Sequence, residues 1–271
     1  MYEAYWNLSS KPFAYRVESA DLYRTRTLQS AALRLRYCFD NNAGAALLLG
    51  ASGMGKSSLL QCLRSESSEL YPFVHVAYAT LTPAELSRTV AAEILGDQSI
   101  DDLPGDALLS TLHRALRKHA DAGQHTVIAF DEAHLLSNNS LNEVVLPLLN
   151  LADTDHDLSL SVILSGQPVL ASHVARNAQL RERIAVRATL DPFTENEIRH
   201  YIQSRLEAAG AKKPLFSDGA IQAITELSEG NPRRINKLCD MSLLVGYGEQ
   251  ISQITEAEVL SLSVEILPAA A

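Results

Sequence analysis

The sequence predicts an α/β fold, a parallel sheet with helices on both faces, followed by a small all-helical domain. Three observations predict it. Short, nearly continuous apolar runs alternate with amphipathic segments through the first two-thirds of the chain, the pattern of strands buried on both faces. The strand-like runs stop after Pro192, and only segments of helical period follow. The 271 residues, 46% hydrophobic and 20% charged, are enough for one large domain and a smaller one, each with its own core.

Residues 1–42 mix aromatics with arginines, and a helix is expected over Leu28–Phe39. GAALLLG, ending at Gly50, has the length of a buried strand and runs into a glycine-rich turn, after which SSLLQCLR continues as a helix. Pro72–Ala79 reads as a second strand. In TPAELSRTVAAEILG, Thr82 is placed as N-cap, Pro83 in the first turn and Glu85 at the third position, which is helix-start chemistry. GDALLSTLHRALRKHA is an amphipathic helix, TVIAF a third strand and NSLNEVVLPLLNLA a further helix. Leu158–Gly166 is the fourth strand and Ala185–Leu190 the fifth. TENEIRHYIQSRLEAAG, SDGAIQAITELSEG, PRRINKLCDMSLLVGYG and TEAEVLSLSVEIL read as four helices, so the expected domains are 1–192 and 193–271. No internal repeat and no low-complexity tract is visible.

Composition removes several function classes. Cys38, Cys62 and Cys239 have no metal-ligand spacing and lie in apolar, helix-like surroundings, as small buried side chains do. A sparse, odd set also suits a reducing compartment. The N-terminus lacks the basic start and apolar core of a signal peptide. No window approaches the roughly 18 apolar residues of a membrane helix, so a cytoplasmic protein is expected. The net charge of −9 opposes broad contact with nucleic acid. Arg24, Arg26, Arg34 and Arg36 form a local basic cluster, read as a solvated helix face in preference to a DNA contact.

The chemistry concentrates in two stretches. GASGMGKS, Gly50–Ser57, fits the pattern G-x-x-x-x-G-K-[ST] and stands between a strand and a helix. Gly50, Gly53 and Gly55 let the backbone curl so that successive N–H groups face phosphate oxygens. The binding stretch is Gly50, Ser52, Gly53, Met54, Gly55, Lys56, Ser57 and Ser58, backed by the positive end of the following helix. Lys56 reaches the β- and γ-phosphates, and the Ser57 hydroxyl ligates Mg²⁺. The second stretch is VIAFDEAHLL. Its strand delivers Asp131 to the carboxyl edge of the sheet, where open α/β sheets bind ligands. Asp131 is the expected Mg²⁺ partner and Glu132 the general base that polarises a water; His134 is read as a packing or hydrogen-bonding residue. Asp131 to His134 also spell a helicase signature. That class carries two recombinase-like domains, and this chain has room for one α/β domain before its helices.

The order of glycine loop, Asp-Glu pair, polar strand end and helical lid resembles the AAA+ ATPases. The resemblance implies a sensor residue in VILSGQP, at Ser165 or Gln167, with no choice between them from sequence. It implies an arginine finger in LRERI, Arg183 first and Arg181 second, reaching a neighbouring subunit's site. GNPRRIN resembles the second sensor, with Arg233 nearest the γ-phosphate; Pro232 also suits a helix start. More narrowly, Pro12-Phe13, Leu22-Tyr23, Ala32-Leu33 through Tyr37, FDEAHLL, SGQPVL, LRERI and GNPRRIN occur in the order found in the ExeA type, the general secretion pathway protein A family.

That resemblance implies ATP and Mg²⁺ as ligands, self-association through a shared arginine, and a secretion-pathway membrane partner. ATP over GTP rests on it alone. Members of the type continue into a membrane segment and a periplasmic peptidoglycan-binding part, whereas this sequence ends at SVEILPAAA; it is read as a cytoplasmic domain or a soluble relative. The main competing expectation is a DNA-associated transposition ATPase that recruits a transposase. A nucleotide-gated scaffold and a kinase are the others.

Overall fold

The computed structural model describes residues 1–14, 25–67, 72–77, 80–96 and 104–266. Arg24 and the Leu22-Tyr23 pair lie outside the described residues. The chain forms two compact units, one of Met1–Thr25, Gly53–Gly55 and Asp191–Ala271, the other of Arg26–Ser52 and Lys56–Leu190.

The second unit holds a five-stranded, all-parallel sheet. Its strands are β1 (Ala45–Leu49), β2 (Phe73–Val76), β3 (Thr126–Phe130), β4 (Leu160–Gly166) and β5 (Ile184–Thr189), in the order β2-β3-β4-β1-β5. Every residue of β1, β3 and β4 is buried, as expected of central strands covered on both faces. Helices α1 (Arg26–Asp40), α2 (Lys56–Ser67), α3 (Pro83–Leu95) and α4 (Gly105–Asp121) fall where the apolar period places them. Thr82 and Glu85 close the reciprocal capping box on α3.

The segment after β3 is less regular than its sequence suggests. A 3₁₀ turn (Ala133–Leu135) precedes α5 (Asn138–Ser140), a π turn (Leu141–Val145) and α6 (Leu146–Thr154). Pro147 supplies the reason: it cannot donate to the carbonyl four residues back. The Leu146 N–H bonds instead to Leu141, five residues back, which widens one turn of the helix. Two helices have no counterpart among the elements expected from sequence, α7 (Val169–Arg176) and α8 (Ala178–Arg183). At eight and six residues they are too short to show a period; Asn177 separates them and caps α8 through its side chain.

In the first unit, α9 (Glu195–Ala208), α10 (Asp218–Ser228), α11 (Pro232–Gly248) and α12 (Glu256–Ile266) share one core with Tyr2, Trp6, Leu8 and Phe13. The expected domain of residues 1–192 puts the N-terminal segment with the sheet; the segment packs instead with the helices. Trp6 Nε1 donates to Leu243 O at 2.9 Å, and Arg205 Nε donates to Pro12 O at 2.7 Å. Which core an isolated aromatic segment joins is a long-range property that no local pattern encodes. Gly230 is held at φ +72°, and a Cβ there would stand 2.5 Å from Phe193 O, so only glycine fits this turn.

At the amino edge of the sheet, His125 is buried with Nδ1 2.6 Å from Ser159 Oγ and Nε2 3.0 Å from Ser161 Oγ. Burial pushes the imidazole down to about 4. The unfolded chain therefore takes up this proton first as pH falls, so the stabilisation is complete above about pH 6.5 and is lost toward pH 4, by about 3 kcal/mol. His119, also lowered by burial, acts in the same direction. Urea unfolding from pH 7 to 4.5 should show that decline, and His125→Gln should flatten it; an equally steep decline in the variant would exclude His125 as its source.

Candidate nucleotide-binding site

The sheet order fixes the site. β4 lies between β1 and β3, so its carboxyl end stands between the loop that follows β1 and the acidic pair that ends β3. The loop is pinned at its start, where Gly50 N–H donates to Gly166 O at 3.2 Å. It closes into α2, whose first residue is Lys56. The Lys56 ammonium donates to the carbonyls of Gly50 and Ala51, at 2.9 and 3.0 Å, and the residue is only 4% exposed. The loop thus wraps its own lysine. Gly53 and Gly55 have φ of +84° and +90°. Within the first unit, a Cβ on Gly53 would lie 2.6 Å from Asn231 Oδ1 and 3.0 Å from Arg233 Cβ. Met54 is buried, while Ser52 is exposed and Ser57 and Ser58 are half-buried.

Asp131 is the hub. Ser57 Oγ donates to its Oδ2 at 2.5 Å, Ser165 Oγ to its Oδ1 at 2.9 Å, and the Glu132 amide to Oδ1 at 3.0 Å. His75 Nε2 stands 3.5 Å from Oδ2. Burial by itself would raise the pKa of this carboxyl, but His75, Ser57, Ser165 and the Glu132 amide outweigh it and hold the value at about 2. Asp131 is therefore ionised throughout the physiological range. A hydroxyl and an ionised carboxylate are the hard oxygen donors that Mg²⁺ takes, so Ser57 and Asp131 fit a magnesium ion.

Glu132 follows in the left-handed region, at φ 49° and ψ 33°, a conformation that costs a side-chain-bearing residue on the order of 1 kcal/mol. It turns the chain sharply off the strand and leaves the carboxylate 43% exposed beside the buried Asp131. His134 Nδ1 lies 3.5 Å from Glu132 Oε2 and accepts from Gln167 N–H at 3.4 Å. It thereby ties the acidic turn to the end of β4, the packing and hydrogen-bonding place expected of it.

The remaining candidates separate. Ser165, fully buried, touches Asp131; Gln167 lies past the strand end and meets His134 through its backbone. Arg183 bonds within its own unit, Nε to Asp153 Oδ2 at 3.0 Å and Nη2 to Asn150 Oδ1 at 2.7 Å. Arg181 is exposed on the same short helix. Arg233 is exposed in the first turn of α11, where Asn231 Oδ1 accepts from its backbone N–H at 3.0 Å. Of the basic cluster, Arg34 donates to Arg187 O and Arg36 pairs with Glu66. His75 is a site residue that sequence reasoning misses. Its signal is a polar residue within the strand FVHV, whose two valines are buried, but its proximity to Asp131 depends on strand register.

A parallel sheet in this order, with a lysine-bearing glycine loop after β1, is the fold of the AAA+ P-loop proteins, and residues 40–174 match the AAA domain family AAA_22. Over 98% of its length the chain is similar, at 29% identity, to General secretion pathway protein A of Aeromonas hydrophila, the type its motifs resemble. It spans about half of that relative, 48%. Among solved structures, Cdc6p of Pyrobaculum aerophilum superposes with a TM-score of 0.78 at 16% identity, over 96% of this chain and 72% of that one. The RuvB Holliday junction branch migration motor of Thermotoga maritima gives 0.58 at 19%, over 94% and 73%. At such identities these likenesses show the fold alone. Among the described residues no helix is long and apolar enough to cross a membrane.

Proposed function

We propose that this chain binds ATP and hydrolyses it to ADP and phosphate, and that the turnover powers assembly or transport of secretion machinery. The observation that carries the hydrolytic reading is the convergence on Asp131: an ionised carboxylate shared by Ser57 and Ser165, with the Lys56 loop alongside. Ser57 and Asp131 would hold Mg²⁺, which when bound neutralises charge on the β- and γ-phosphates. Lys56 leaves the carbonyls of Gly50 and Ala51 for phosphate oxygens, exchanging two neutral acceptors for anionic ones. Glu132 takes a proton from the attacking water. Ser165, rather than Gln167, acts as the first sensor, because it alone of the two bonds the hub carboxylate. Arg233 serves as the second sensor. The likeness to General secretion pathway protein A supports the secretion role and a cytoplasmic place of action, with a membrane partner there.

We assign the trans arginine to α8, and to Arg181 in particular, because Arg183 is engaged by Asp153 and Asn150 of its own subunit. Hydrolysis per subunit should rise with protein concentration. Arg181→Ala should abolish that rise while leaving the dilute rate intact; an equal loss at all concentrations would exclude a finger acting between subunits. The test of the whole reading is the ATP hydrolysis rate against protein concentration, with and without double-stranded DNA at two salt concentrations. A concentration-dependent, DNA-indifferent rate supports it. Stimulation by DNA that fades with salt would overturn the secretion assignment, and absence of turnover would overturn the hydrolytic one.

A further inference from the structure

His75 has no place in the hydrolytic scheme, yet its position is specific. It lies on the edge strand β2, paired in register with Ala129 of β3. Side chains alternate along a strand, so His75 shares a face with Ala129 and, two residues on, with Asp131. Asp131 N–H donates to Val76 O at 2.9 Å, which carries the pairing past the end of β3 and holds the two side chains level. The result is Nε2 3.5 Å from Asp131 Oδ2, with the imidazole 13% exposed. Nε2 is buried and, at this distance, stops short of a well-formed hydrogen bond to the carboxylate opposite it. A buried ring nitrogen without a partner is costly, and here it points at the carboxylate oxygen that also takes the Ser57 hydroxyl.

As the Nε2–H tautomer the ring aims its hydrogen at Oδ2 and finds its partner there when the two close up. Ser57 and Asp131 would hold the magnesium ion, and a carboxylate that takes a cation is itself oriented by protein donors. Outer-shell groups of this kind set the orientation of the ligand they touch. We propose that His75 is a positioning residue of the divalent-cation site, in which the Nε2 hydrogen is aimed at Asp131 Oδ2 and so orients the carboxylate that would take the cation. The proposal rests on the magnesium reading of Ser57 and Asp131.

Mn²⁺ binding to the protein in the presence of ADP, followed by electron paramagnetic resonance, tests it without turnover. His75→Ala should weaken Mn²⁺ binding about 10- to 100-fold. His75→Gln, which places an amide near the position of Nε2, should recover most of the loss. ADP affinity measured in chelator should be the same in all three proteins. With ¹⁵N-histidine, electron–nuclear double resonance on bound Mn²⁺ should show a weak nitrogen coupling, absent in His75→Ala. Wild-type Mn²⁺ affinity in His75→Ala overturns the proposal, as does a loss without nitrogen coupling. It is equally overturned by a loss that glutamine fails to rescue and that extends to ADP in chelator, because that describes a folding defect. Failure of the magnesium reading looks different: Ser57→Ala would then bind Mn²⁺ as the wild type does, or the wild type would not bind it with ADP.

Discussion

Lys56→Ala is expected to lose at least about 100-fold in nucleotide affinity. A hydrogen bond to a charged group is worth roughly 1.5–3 kcal/mol, and a tenfold change in affinity corresponds to about 1.4 kcal/mol. Lysine exchanges two neutral carbonyl partners, Gly50 and Ala51, for phosphate oxygens, and alanine supplies neither charge nor donor in its place. The substitution also leaves those two carbonyls without their ammonium, so a small fall in stability should accompany it. Calorimetric titration with ADP separates the two effects, since far-ultraviolet circular dichroism would report a folded variant. Unchanged affinity in a folded Lys56→Ala protein would remove the glycine loop from phosphate binding.

Glu132→Gln is expected to bind ATP with near wild-type affinity and to hydrolyse it about 10²- to 10⁴-fold more slowly, the range a general base contributes. The geometry makes the two effects separable. The Glu132 side chain is 43% exposed, with its carboxylate 3.5 Å from His134 Nδ1, whereas the backbone N–H of the same residue supports Asp131. Glutamine keeps that amide, the left-handed turn and the side-chain length, and removes only the basic oxygen. Single-turnover hydrolysis alongside ATP binding checks it. A normal rate would transfer the base role elsewhere, and a matching loss of binding would mean that the turn itself had moved.

The site residues differ in how legible they are. Lys56 and Ser57 sit in an eight-residue pattern whose spacing follows from the curl of one loop, so local sequence suffices to find them. Asp131 and Glu132 are nearly as plain, because an apolar run ending in two carboxylates is a strand brought to a sheet edge. Thr82 with Glu85 is local in the same sense, and the capping box forms as spaced. Ser165 and Gln167 are indistinguishable until β4 is seen between β1 and β3, with its last serine facing Asp131. Arg183 is the better finger by its place before β5, yet its side chain turns back to Asp153 and Asn150, partners some thirty residues upstream.

Sequence alone determined the features written in short-range spacing: the alternation of strands and helices, the switch to helices near Pro192, the glycine loop and the acidic pair. Tertiary structure alone decided which core received Tyr2, Trp6 and Phe13, and that His75 stands beside Asp131. The physical reason is the same in each case. Spacing along the chain encodes interactions closed within a turn or a strand, whereas strand register and core partnership bring together residues tens to hundreds of positions apart, and no periodicity records that pairing.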